Sequence, residues 1–172
     1  MTKILEALDF ATKKHEGQFR KGSGLKYVTH TIAVSYLVGK YKNSRKLEYL
    51  IIAAILHDCL EDTDATFEEL VREFGPLVAS LVLELSNDPE QIKEMGKLEY
   101  QKRKFLGMSS YGLVIKLCDR LHNISDNPSK KMVSDTSTLL AFLEVNRKLS
   151  KTHKTIIDEI WKKIDEFYLH AE

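Results

Sequence analysis

The chain is poor in the residues that punctuate or staple a fold: among 172 residues there are three Pro, two Cys, eight Gly and one Trp. The two cysteines, Cys59 and Cys118, each lie inside an apolar helical pattern, so a disulfide framework is not indicated. No charge of one sign predominates, since 26 Lys+Arg stand against 25 Asp+Glu for a formal charge of +1. That balance argues against a disordered chain and against a duplex-DNA binder, which normally carries a basic face. Long hydrophobic runs are also missing. The longest, Leu50 to Leu56, is far short of the roughly 20 residues a membrane span requires, so no membrane association is expected. The first residues, MTKILEALDF, lack the apolar stretch of an export signal, which makes the cytoplasm the expected compartment.

What is present is a 43% hydrophobic content, enough for one soluble globular domain with a full core. Turn-forming residues cluster at Gly22-Ser23-Gly24, 42–45, Gly75-Pro76, Asn87-Asp88-Pro89, Gly107 to Gly112 and Asp126-Asn127-Pro128. Between them apolar residues recur at helical spacing. Leu5, Leu8 and Ala11 predict a helix near 3–16; Ile32, Tyr36 and Leu37 predict a second; and Leu47, Leu50, Ile51, Ala54 and Ile55 predict a third running to Asp62. Thr66-Phe67-Glu68-Glu69 reads as a capping box that starts another. Further helices are expected near 76–86, 90–106, 111–125, 130–150 and 152–169. No strand pattern, repeat or linker competes, so the expectation is a single all-α domain over 1–172, a bundle of eight to nine helices.

Polar chemistry concentrates in three segments. His57-Asp58-Cys59-Leu60-Glu61-Asp62 closes an otherwise apolar helix, where polar groups are costly unless partnered. On a continuous helix His57 faces Glu61 and Asp58 faces Asp62, and three carboxylates that close repel unless a cation sits among them. Lys116 to Asn123 again places an acid, Asp119, at the end of an apolar helix, and Tyr27-Val28-Thr29-His30 sets a histidine at a helix entrance. Together His30, His57, Asp58 and Asp119 form a two-imidazole, two-carboxylate set that suits a divalent first-row metal: Mn²⁺, Fe²⁺, Co²⁺ or Zn²⁺.

The order H…HD…D, with HDCLEDT near one-third of the chain and KLCDRLHN near two-thirds, resembles the HD-domain metal phosphohydrolases. GQFRKGSGLKYVTH, AAILHDCLEDTDATFEELVREFG and VIKLCDRLHNI together resemble the hydrolase domain of RelA/SpoT-type enzymes, over about residues 4–125. The lack of a following synthetase region is similar to the stand-alone small alarmone hydrolases. The resemblance implies an all-helical HD fold and hydrolysis of the 3′-pyrophosphate of ppGpp or pppGpp to GDP or GTP plus pyrophosphate, usually with Mn²⁺. It implies that His30, His57, Asp58 and Asp119 hold the metal. Glu61 would orient or deprotonate water, supported by Asp62. Arg20 and Lys21 match the pair that meets the nucleotide, by stacking on a base and neutralising phosphate, and Ser23 with its flanking glycines would let backbone N–H groups approach. Lys97 and Lys102, within a basic stretch that includes Lys93, Arg103 and Lys104, are the candidates for the pyrophosphate.

His122 and Asn123 belong to the motif as supporting residues, and Cys59 and Cys118 read as buried packing rather than zinc ligands. The chain departs from the family in three places. Thr31 and Lys26 stand where proline is usual, the Arg20–His30 spacing is one residue longer than in the long bifunctional enzymes, and similarity fades after Pro128. Other readings are an HD phosphohydrolase acting on NADPH, a nucleoside monophosphate, a dNTP, ppApp or a pyrophosphorylated RNA end, and, from another class, a non-catalytic binding module. The partners implied are a small nucleotide, a second copy of the chain, and an alarmone or pyrophosphate-transferring synthetase for which this protein is the antidote.

Overall fold

The computed structural model describes residues 2–169 and is helical, with one isolated antiparallel bridge, Phe19 to Lys26, and no strand among the described residues. Eleven helices occur there; all but α4 and α7 are eight residues or longer, in line with the expected bundle. None is long and apolar enough to cross a membrane. The chain divides into two compact units, Met1–Ser86 and Asn87–Glu172.

The first unit holds α1 (Lys3–Lys14), α2 (Val28–Tyr41), α3 (Leu47–Leu56), α4 (Cys59–Asp62), α5 (Phe67–Phe74) and α6 (Pro76–Leu85). Helix α3 has no polar face after its first turn: Leu50, Ile52, Ala53, Ala54, Ile55 and Leu56 are all buried. A helix that is apolar all round must be enclosed, and α1, α2 and α6 pack against it. Each large aliphatic side chain buried there contributes about 1.5–3 kcal/mol of transfer free energy. The Thr66 capping box forms as read, with Thr66 Oγ1 accepting from the Glu69 N–H at 3.1 Å and Glu69 Oε2 from the Thr66 N–H at 2.9 Å.

Two expectations change here. Helix α2 turns Val34 and Val38 inward and leaves Ile32 and Tyr36 at the surface, because its buried face is set by His30 and Thr31. Also, the third helix does not run unbroken to Asp62: it ends at Leu56, and α4 restarts with Asp58 as its N-cap. At φ −102°, ψ 0°, Asp58 leaves the helical ladder while its carbonyl still accepts from the Glu61 and Asp62 N–H groups.

The second unit holds α7 (Pro89–Met95), α8 (Lys97–Gly107), α9 (Ser110–Ser125), α10 (Lys130–Asn146) and α11 (Lys151–Leu169). Helix α9 is its core, buried from Gly112 to Asp119, and Ile156, Ile157, Ile160 and Ile164 of α11 pack along it. The single helix expected over 90–106 is two, since Gly96 adopts φ +82°, a conformation that ends α7 and that side-chain-bearing residues rarely take. Helix α10 stops at Asn146 rather than 150, where Arg147 turns its guanidinium to the carbonyls of Phe105, Leu106 and Met108 at the end of α8. These are carbonyls that a helix terminus leaves without an intrahelical donor.

Candidate active site

Three candidate residues of the first unit meet where α2 enters and α3 ends. His30 occupies the first turn of α2 and His57 follows α3; both are buried, with ring centroids 5.1 Å apart. Asp58 Oδ2 lies 2.9 Å from His57 Nε2 and 3.7 Å from His30 Nε2. His57 Nδ1 is 2.8 Å from the Ala54 carbonyl, which accepts only, so Nδ1 carries a proton and Nε2 faces Asp58. Two basic atoms at that distance require a proton or a cation between or beside them. A buried donor set of two histidines and one carboxylate fits a divalent metal.

The other acids of this segment differ in setting. Glu61 is exposed on α4, one turn past His57. Asp62 has its carboxyl pKa raised, first by desolvation and then by the charges of Asp58 and Glu61, with His15 and Tyr27 acting in the opposite direction. Arg20, Lys21 and Ser23 lie on a tight loop: Arg20 N–H donates to Leu25 O, Gly24 N–H donates to Arg20 O, and Gly24 takes φ +71°. Thr31, standing where the family has proline, donates its hydroxyl to Val28 O at 3.0 Å and is fully buried.

In the second unit Asp119 is buried on α9, with Oδ2 3.2 Å from Lys116 Nζ and Oδ1 accepting from Asn123 Nδ2 at 2.5 Å. Lys97 is the exposed first residue of α8 and Lys102 lies over the Phe142 ring of α10, 5.3 Å from its centroid. Five residues apart on a helix, these two lysines project roughly 140° from one another. Cys59 and Cys118 are fully buried; desolvation pushes the Cys59 thiol up to about 12 and raises Cys118 as well, so neither offers a thiolate.

Sequence reasoning held Gln18 and Tyr27 inside a motif without giving them a role, and passed over His15. Tyr27 donates its hydroxyl to Asp58 Oδ2 at 2.6 Å, and His15 stacks on the Tyr27 ring with centroids 4.8 Å apart. His15 Nδ1 reaches Gln18 Oε1 at 2.8 Å, and Gln18 Nε2 donates to Asp62 O at 2.7 Å. The trace of His15 in the sequence is a polar residue at an apolar position: it ends α1 on the face that buries Ala7 and Ala11.

The HD domain family model matches residues 7–148. The guanosine-3′,5′-bis(diphosphate) 3′-pyrophosphohydrolase of Spiroplasma citri is 31% identical over 95% of this chain, which spans 23% of that relative's length. The Drosophila melanogaster enzyme of that name, MESH1, is 38% identical over 72% of this chain and 69% of its own. A solved structure described as a metazoan orthologue of SpoT that hydrolyses ppGpp superposes with a TM-score of 0.77 at 29% identity, covering 95% of this chain and 96% of that one. The chain belongs to the HD domain family.

Proposed function

We propose that this chain hydrolyses the 3′-diphosphate of ppGpp and pppGpp, releasing pyrophosphate and leaving GDP or GTP. The observation that carries the reading is the meeting of His57 Nε2 and Asp58 Oδ2 beside His30, a donor set with the chemistry to hold a divalent cation. It is supported by membership of the HD domain family and by the activity in the names of the relatives above.

In this reading His30, His57, Asp58 and Asp119 hold one divalent metal, Mn²⁺. Such an ion supplies Lewis-acid charge to a phosphoryl oxygen and lowers the pKa of water at the site. Glu61 takes a proton from the attacking water, whose oxygen forms a bond to the phosphorus nearer the ribose as the bond to the 3′-oxygen breaks and that oxygen gains a proton. Asp62 supports Glu61 in the same network. Arg20 lays its guanidinium on the guanine, Lys21 and the Ser23 loop meet phosphate, and Lys97 or Lys102, which face different sides of α8, balances the charge of the departing pyrophosphate. The protein works in the cytoplasm and serves as antidote to an alarmone-forming synthetase; homo-oligomerisation is part of the same reading.

The test is a Mn²⁺-supplemented panel of ppGpp, pppGpp, ppApp, NADPH, dNTPs and nucleoside monophosphates, with products separated by anion exchange and Asp58→Ala as the blank. Pyrophosphate released from ppGpp by the wild type alone is the expected result. Turnover of another nucleotide without ppGpp refutes the substrate assignment, and no turnover with any of them refutes the enzyme reading.

A further inference from the structure

Tyr27 touches both the Arg20 side chain of the loop and the carboxylates of Asp58 and Asp62. Its hydroxyl donates to Asp58 Oδ2 at 2.6 Å and stands 3.5 Å from Asp62 Oδ2. Three groups meet its ring. The Arg20 guanidinium carbon is 5.8 Å from the ring centroid, within cation–π range, His15 stacks at 4.8 Å, and His30 meets it edge-on at 5.6 Å. The backbone holds it as tightly, because the Tyr27 N–H donates to Gln18 O at 2.9 Å, next to the Phe19–Lys26 bridge.

Beneath the ring runs a chain of polar contacts. Cys59 Sγ lies 3.7 Å from His15 Nε2; His15 Nδ1 is 2.8 Å from Gln18 Oε1; and Gln18 Nε2 donates to the Asp62 carbonyl at 2.7 Å. The ring therefore rests on an imidazole that is itself tied through Gln18 to α4.

We propose that Tyr27 is a positioning residue with two separable duties: its hydroxyl fixes the Asp58 carboxylate for the metal, and its ring is the platform that holds Arg20 for the base. The proposal rests on the metal-dependent reading above. The short bond to Asp58 leaves that carboxylate one orientation, toward the histidines, and hydrogen bonds of this kind around metal-binding carboxylates are typically worth about 10–100-fold in metal affinity or activity. The ring has no polar role toward Arg20, so it acts there whether or not the hydroxyl is present.

Tyr27→Phe and Tyr27→Leu separate the two duties. Mn²⁺ affinity is read on metal-free protein by titration with electron paramagnetic resonance detection, and kcat and KM for ppGpp are read at saturating Mn²⁺. Tyr27→Phe is expected to lose about tenfold in Mn²⁺ affinity and to lower kcat while KM stays within twofold. Tyr27→Leu is expected to show the same metal defect and, in addition, a KM raised about fivefold, the equivalent of roughly 1 kcal/mol of cation–π support. Phe binding Mn²⁺ as tightly as Tyr overturns the hydroxyl role, and equal KM values in the two variants overturn the platform role. A wild type that binds Mn²⁺ but does not turn over ppGpp sinks the substrate reading and leaves the titration to decide the hydroxyl's part; a wild type that binds no Mn²⁺ overturns both.

Discussion

Lys116→Met separates a charge partner from a metal ligand. Lys116 and Asp119 form a buried ion pair one turn apart on α9, with side chains only 7% and 10% exposed. Met keeps the length of the stem and removes the ammonium. Taking one partner from a buried pair costs about 3–5 kcal/mol, because the other charge stays buried and uncompensated. Asp119 keeps the Asn123 bond and the nearby charge of Arg120, which places the expected cost at the lower end, about 3 kcal/mol. For a chain of this size that is a fall of roughly 6–12 °C in Tm. The fall is expected in EDTA and is expected to shrink with Mn²⁺, which in the proposed set takes over the charge on Asp119 and meets no ammonium in the variant. Differential scanning calorimetry with and without Mn²⁺ reads both effects. A variant that melts with the wild type in EDTA refutes the buried-pair argument; a Mn²⁺-induced shift no larger than the wild type's refutes Asp119 as a ligand.

Glu61→Ala is expected to bind Mn²⁺ like the wild type yet lose about 10²–10⁴ in kcat, the usual contribution of a general base; full activity refutes the assignment. Arg147→Ala removes three bonds to the carbonyls that end α8 and is expected to cost about 2–3 kcal/mol in urea unfolding, whereas a change under 0.5 kcal/mol would mean that water serves those carbonyls equally well. Asp88 is held below the usual carboxylate range, first by the Gln91 backbone N–H and then by the Gln91 side chain, because it caps α7. A lowered pKa in the folded state means that its stabilisation is complete above the ordinary carboxylate range and is lost as pH falls through that range and below it. Asp88→Asn keeps a cap that does not titrate, so the drop in urea midpoint between about pH 5 and pH 3 is expected to be smaller in the variant. Equal drops would refute a titrating cap.

Local pattern was enough for most of the helices. The run Leu50–Leu56 has no polar position, so it reads as an enclosed helix from sequence and is one; Thr66 and Glu69 carry their capping box in four letters. His57 and Asp58 stood out as candidates for a related reason: polar groups at the end of an apolar helix contrast with their surroundings. The same logic misread α2, where Ile32 and Tyr36 look like an inward face. Only the packing of His30 and Thr31 decided which side of that helix is buried.

By itself, then, the sequence determined the helical class and the segments in which polar donors gather at the ends of apolar helices, because helical periodicity and turn residues act over a few positions. Tertiary structure decided the rest. That Asp58 bends out of the ladder to face His30 across 27 intervening residues, and that Tyr27 lies between Arg20 and Asp58, depends on how α1, α2 and α3 pack. No periodicity records such meetings: a hydrogen bond is won by two atoms arriving within about 3 Å, and residues far apart in sequence share no local rule that fixes that distance.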